Sequence, residues 1–451
     1  MKPNTITFEF PRGFLWGTAS SSFQIEGGAD ADGRGPSVWD AACRRYPEKF
    51  HRGATPEVSA DFFHRYAEDA AAMNELGLKS FRFSISWSRV LPTGRGAVND
   101  RGVDFYNRVI DALLANGIQP FVDIYHWDLP QALADEGGFK NPRIVQDFTR
   151  YAEICFRRFG DRVRLWSTMN EPSVMAFTGY AGGAHPPFEK DTRGALLAAH
   201  HMLLMHYRVV RLYHSLKHNG RIGAVIAFVP MYPRTLADRD REAAGRHEDY
   251  TCNWWLEPMF KGRYPASVLA YPEVSGCMPG NYAEQLASEF EPMDLVGINY
   301  YGPACIGYKP GAFLEGDSFE HFYGQSDFEL KMYPSGLFDS LIYLKGKYDN
   351  PEIYITENGF PHDTEDSGAA ILEDDDRITY LREHLRAVSR SIKAGVKVRG
   401  YYWWSHFDSF ESCSGYRYRF GLVHVDFNTL VRTPKKSWHY YRELIHNNAV
   451  D

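Results

Sequence analysis

A single unit recurs along this chain: an amphipathic helical stretch, a glycine, and an apolar run that reads as a strand. In residues 61–76, Phe62, Phe63, Tyr66, Ala70 and Met73 share one helical face, Gly77 follows as a C-cap, and "LKSFRFSISW" reads as a strand. The unit returns with Phe105, Val109 and Leu113 before Gly117 and "IQPFVDIYHW", then before Gly220 and "RIGAVIAFV". It returns again with Ile378, Leu381, Leu385, Val388 and Ile392 before Gly395 and "VKVRGYYWW". Strands that alternate with helices form a parallel sheet covered by helices. The strands number about eight, beginning near Phe14, Ser80, Pro120, Arg164, Ile222, Leu295, Ile353 and Arg399, which is the number that closes an α/β (β/α)8 TIM barrel. The runner-up, an open doubly wound sheet, lacks a GxGxxG in its first βα unit. Residues 228–255 and 302–335 read as loop insertions, so residues 1–451 are expected to form a single barrel domain with extended loops at the C-terminal face of the strands.

In such a barrel, chemistry sits at the C-terminal ends of the strands. Those ends carry Gln24, then Arg82, His126 with Trp127, Asn170 with Glu171, Asn299 with Tyr301, Glu357, and Trp404 with Glu411 close behind. The stretches "WSTMNEPSV" and "EIYITENGF" both run apolar and then deliver a carboxylate, Glu171 and Glu357. An apolar strand has no packing use for a carboxylate at its end. Two carboxylates on one mouth suit glycoside hydrolysis, one protonating the departing oxygen and the other attacking the anomeric carbon or activating water. Their pKa values must be pushed apart. Arg82 would keep Glu357 ionised, and burial together with the charge of Glu357 would keep Glu171 protonated. Asn170 could hold a sugar 2-hydroxyl.

The chain resembles glycoside hydrolase family 1, the β-glucosidase family, a retaining (β/α)8 barrel of clan A. The resemblance runs nearly end to end through "FPRGFLWGTASSSFQIEG", "RFSISWSRVLP", "HWDLPQAL", "TMNEP", "GINYY", "ITENG" and "RFGLVHVDFNTLVRTPKKS". It implies Glu171 as acid/base and Glu357 as nucleophile. It implies Gln24, His126, Trp127, Asn170, Asn299, Tyr301, Trp404, Glu411 and Ser412 against the sugar, with Arg82 and Tyr301 tuning the nucleophile, and no metal or organic cofactor. The activity implied is that of an exo-β-glucosidase with room for galactose, fucose or transglycosylation. Two positions depart from the family. "SFES" stands where the family commonly reads N-F-E-W, so Ser412 replaces a tryptophan. Leu330 falls about where an aromatic platform is usual before "YPSGL". Ser412 raises the alternative of a 6-phospho-β-glucosidase, for which Arg417 and Arg419 are the best support; Glu411 would repel a phosphate, while Tyr418 and Phe420 replace its usual partners. A non-catalytic sugar-binding relative is the other alternative, and it usually loses one of the two glutamates.

Other classes fit less well. Net charge is −7 with no basic run, which argues against nucleic acid. No apolar run is long enough to span a membrane. The N-terminus "MKPNTITFEFPRGFLWG" has no signal-peptide core and the six cysteines form no CxxC, so a cytoplasmic protein with reduced thiols is expected. His200, His201 and His206 do not share a helical face, and "EDDDR" (373–377) reads as a charged helix start. The partner expected is a small carbohydrate; the oligomeric state is open, a homodimer included.

Overall fold

The structure is a computed structural model that describes residues 7–318, 332–365 and 371–451. Eight strands close a barrel: β1 (Leu15–Ala19), β2 (Ser80–Ser84), β3 (Gln119–Asp123), β4 (Leu165–Asn170), β5 (Arg221–Ala227), β6 (Leu295–Asn299), β7 (Ile353–Asn358) and β8 (Val398–Trp404). Neighbours in sequence are neighbours in space, every pair is parallel, and β8 returns to pair with β1. Each strand starts within one residue of its expected position. β2, β4 and β7 are buried at every residue, as strands covered on both faces must be.

The lower barrel is filled, not hollow. Phe121 meets Tyr354 and Tyr402 edge-on, both at 5.7 Å, beside Leu165 and Leu295. Gly17 on β1 makes room for this floor: a Cβ there would sit 2.3 Å from the Tyr402 ring. The cavity therefore opens at the other end, where the strands finish.

Helices Phe62–Leu76, Asp100–Ala115, Ile144–Phe159, Thr192–Leu216 and Asp375–Lys393 lie outside the strands. Gly77, Gly117 and Gly395 take positive φ just beyond their helices, as helix-ending glycines should. Gly220 does not. Lys217 holds the left-handed position after Leu216, so a lysine ends that helix where a glycine was expected. The excursions 228–255 and 302–335 are more than loops. Met231–Pro233 pairs with Ala304–Tyr308, which pairs with Gly316–Ser318, and Ala243 and Ala244 of helix Asp238–Glu248 pack on Ile306. Leu330 lies outside the described residues.

The three histidines of helix Thr192–Leu216 point apart. His200 meets Tyr264 and Gln285, His201 the Phe139 carbonyl, and His206 the Thr168 hydroxyl. Among the described residues no group of three or more His, Cys, Asp or Glu could hold a metal ion, and no helix is long and apolar enough to cross a membrane. The run "EDDDR" does more than start a helix. Asp374 is buried, accepts from the Ser437 backbone and hydroxyl, and pairs with buried Arg377 at 3.3 Å.

Candidate active site

Arg82 rises from β2 into the barrel axis and is fully buried. Its Nη1 lies 2.6 Å from Glu357 Oε1, and its Nη2 lies 2.6 Å from Asp123 Oδ2 and 2.7 Å from Asn170 Oδ1. Burial alone would lower its pKa; Asp123 and Glu357 more than offset that and hold it above the usual guanidinium value. The other oxygen of Glu357 accepts from the Tyr301 hydroxyl at 2.8 Å. Glu357 thus has a cation on one side and a phenol on the other.

Glu171 is placed differently. It follows β4 in left-handed backbone, φ 44°, and among the described residues its one side-chain partner is Asn299 Nδ2 at 2.8 Å. Burial first, then the charge of Glu357, pushes its carboxyl up to about 8. Trp127 and Ser412 are left-handed as well, at φ 74° and 51°. Non-glycine residues tolerate this region only where their surroundings impose it, and such residues gather at functional sites. All three line the same cavity.

That cavity has a volume of about 290 Å³. His126 and Trp404 form one wall, their rings stacked at 5.8 Å. Gln24 and Glu411 form another, Gln24 Nε2 donating to Glu411 Oε2 at 3.2 Å. Burial, followed by the charges of Glu357 and Asp408, raises Glu411 to about 8 against the hydrogen bond from Ser409. Ser412, Cys413 and Ser414 continue past it, so the wall beyond Glu411 is built of small side chains. Asn170 and Asn299 stand behind the lining. The Asn170 oxygen accepts from Arg82 and Asn299, and its Nδ2 lies 3.1 Å from His126 Nε2, while its backbone oxygen accepts from Trp127 Nε1.

A family model described as Glycosyl hydrolase family 1 matches residues 6–450. The chain belongs to glycosyl hydrolase family 1. Its relatives include Beta-glucosidase A of Acetivibrio thermocellus, 40% identical over 98% of this chain and 99% of that one. Beta-glucosidase A of Thermotoga maritima is 39% identical over the same shares. A solved Thermotoga maritima family 1 glycoside hydrolase, complexed with a cyclophellitol analogue transition state mimic, superposes with a TM-score of 0.95 at 38% identity, covering 99% of this chain and 100% of that one. This chain is therefore an O-glycosyl hydrolase.

The loop that carries Glu411 in this family 1 enzyme is braced from below. Asp408 accepts from the Gly421 backbone at 3.0 Å, Lys435 Nζ at 2.7 Å and His424 Nδ1 at 2.9 Å, which ties together the two limbs around Glu411 and Phe420. Arg417 pairs with Asp363 through two nitrogens, and Arg419 lies 3.8 Å from Asp408. Neither arginine lines the cavity, so neither is set to bind a phosphate there.

Several residues at this site were not singled out in the sequence. Asp123 could have been: it is a lone carboxylate within the apolar strand "PFVDIYHW". Val174 and Thr178 lie on the π-helix Val174–Ala181, Cys413 and Ser414 on the 3-10 turn Ser412–Ser414 and His185 on a loop, none with a periodic signal. Arg82→Met leaves Asp123 and Glu357 buried without their cation, so it is expected to destabilise the hydrolase by about 3–5 kcal/mol in urea unfolding. A variant as stable as the parent would mean that Arg82 does not balance these carboxylates.

Proposed function

We propose that this enzyme is a retaining exo-β-glucosidase with Glu357 as nucleophile and Glu171 as acid/base. One contrast between two of the cavity's three carboxyls carries the reading: Glu357 is paired with Arg82 at 2.6 Å, while among the described residues Glu171 meets an amide alone and is raised to about 8. In the first step a Glu357 oxygen bonds to the anomeric carbon, the glycosidic C–O bond breaks, and the Glu171 proton goes to the leaving oxygen. Glu357 is then an ester and has lost its charge. One cause of the raised Glu171 pKa disappears with it, so Glu171 becomes a base. It takes a proton from water, the water oxygen bonds to the anomeric carbon, and the ester bond breaks to free Glu357. The chemistry calls for no metal or organic cofactor.

Tyr301 and Arg82 hold the nucleophile in place, and Gln24, His126, Trp404 and Glu411 offer hydrogen bonds and an aromatic face to the glucose. Trp127 and Ser412 flank it, and Asn170 and Asn299 steady the inner wall, with one N–H of Asn170 toward the 2-hydroxyl. Galactose or fucose in place of glucose, and transfer to a sugar acceptor, use the same groups. Six cysteines scattered through the chain suit a reducing compartment, which supports a cytoplasmic location.

Retention is tested by NMR of the first sugar released from a β-glucoside. β-Glucose is expected first; α-glucose would mean inversion. The pH profile follows from Glu171. Its protonated form is the active one, so kcat/KM on a β-glucoside should fall as pH rises through about 8. Glu411 titrates in the same range. The alkaline limb should survive Glu411→Gln, and its loss in that variant would reassign the limb to Glu411.

A further inference from the structure

Glu411 and Phe420 line the cavity from one loop, which leaves β8 at Trp404 and ends at Val423. Its two limbs touch backbone to backbone at one point: a Cβ on Gly421 would sit 2.1 Å from the Asp408 nitrogen. Glu411 lies three residues beyond Asp408 and Phe420 one residue before Gly421, so this contact sets where both side chains stand. The first limb is tied inward as well, Phe410 N–H donating to Gln24 O at 3.1 Å. Asp408 Oδ1 spans the contact, accepting from Gly421 N–H on one side and Lys435 Nζ on the other. Lys435 also gives its backbone N–H to Leu422 O at 2.9 Å, on the second limb. It does not line the cavity.

Lys435 is the one fully buried lysine among the described residues. Burial alone would raise the Asp408 pKa; Lys435 first, then His424 and Arg419, outweigh it and hold Asp408 ionised, well below the usual carboxylate range. A second buried pair adjoins the first. Asp374 accepts from Ser437 at the start of helix Lys436–Asn447, and its partner Arg377 donates to the Arg419 and Phe420 carbonyls at 3.0 and 2.5 Å. The run "EDDDR" therefore belongs to the support of this loop. Buried pairs like these do little for stability, because apolar side chains of equal volume serve as well. They differ in having direction: hydrogen bonds fix the place of the groups they hold, and such support keeps a binding side chain from drifting. We propose that Lys435 is a positioning residue that acts through Asp408 to hold Glu411 in reach of the glucose hydroxyls. This rests on the β-glucosidase reading.

The test is a double-mutant cycle in kcat/KM on p-nitrophenyl β-glucoside, run where thermal unfolding shows every variant folded. Lys435→Met is expected to lower kcat/KM about tenfold or more in the parent, and less than about threefold in the Glu411→Gln background, where the group it acts through is already disabled. Lys435→Arg, which keeps the charge, should recover part of the parental rate. Where Lys435→Met alone does not fold, the paired change of Asp408→Asn with Lys435→Met strands no buried charge and takes its place in the cycle. Losses that agree within about threefold in the two backgrounds overturn the inference, because a general loosening of the fold adds to either. No loss in the parent background overturns it too. A parent inert on every β-glucoside overturns the β-glucosidase reading, and this inference with it.

Discussion

Replacing Glu357 by alanine is expected to lower kcat on an aryl β-glucoside by on the order of 10⁴-fold or more, as removal of a covalent nucleophile does. The fold should persist. Arg82 keeps Asp123 at 2.6 Å, so its charge is still countered, and Tyr301 loses one acceptor on the cavity wall. The space left by the carboxyl should admit a small anion. Added azide should restore turnover and yield the α-glucosyl azide, because the anion attacks from the face that Glu357 occupied and no second displacement follows. Product analysis decides the matter. Activity surviving in the variant, or a β-configured azide product, would remove Glu357 from the role of nucleophile.

Replacing Glu171 by glutamine should divide substrates by their leaving group. A general acid contributes on the order of 10²–10⁴-fold, and only where the departing oxygen needs a proton. Alkyl glucosides and disaccharides should lose about 10³-fold in kcat/KM. A dinitrophenyl glucoside, whose leaving group departs as a stable anion, should lose far less. The alkaline limb near 8 should vanish on that substrate, since the group that titrates there is gone. A loss of equal size on every leaving group would mean that Glu171 positions the substrate and transfers no proton.

The barrel was legible because its unit repeats. Each helix must bury one face, each strand must bury two, and the glycines between them punctuate the pattern, so strand starts fell within a residue. Gly220 misled because Lys217, which carries no helix-ending signature, adopts the left-handed conformation itself. The sheet joining Met231–Pro233 to Ala304–Tyr308 could not be read, since its strands are short and some seventy residues apart. The site was legible where residues sit at strand ends. Arg82, His126, Glu171, Tyr301 and Glu357 share one mouth because parallel strands deliver their ends to one face. Asp123 apart, what escaped lies off the barrel strands: His185 is brought in by a folded-back loop, and the tie between Asp408 and Lys435 spans 27 residues with no pattern to announce it.

The seam between β1 and β8 sets a condition on how this enzyme is made. Ala19 pairs with Trp404, so the ring stays open until nearly the whole chain has left the ribosome. At the usual 5–20 residues per second that is roughly 20–80 s after β1 emerges. Throughout that interval two strand edges are bare; Arg82 has Asp123 early, and its second carboxylate, Glu357, lies 275 positions downstream. A nascent chain arrested before β8 is an open sheet with two sticky margins. Products cut short before β8 are therefore expected to aggregate, as the pelleting of a chain truncated there would show.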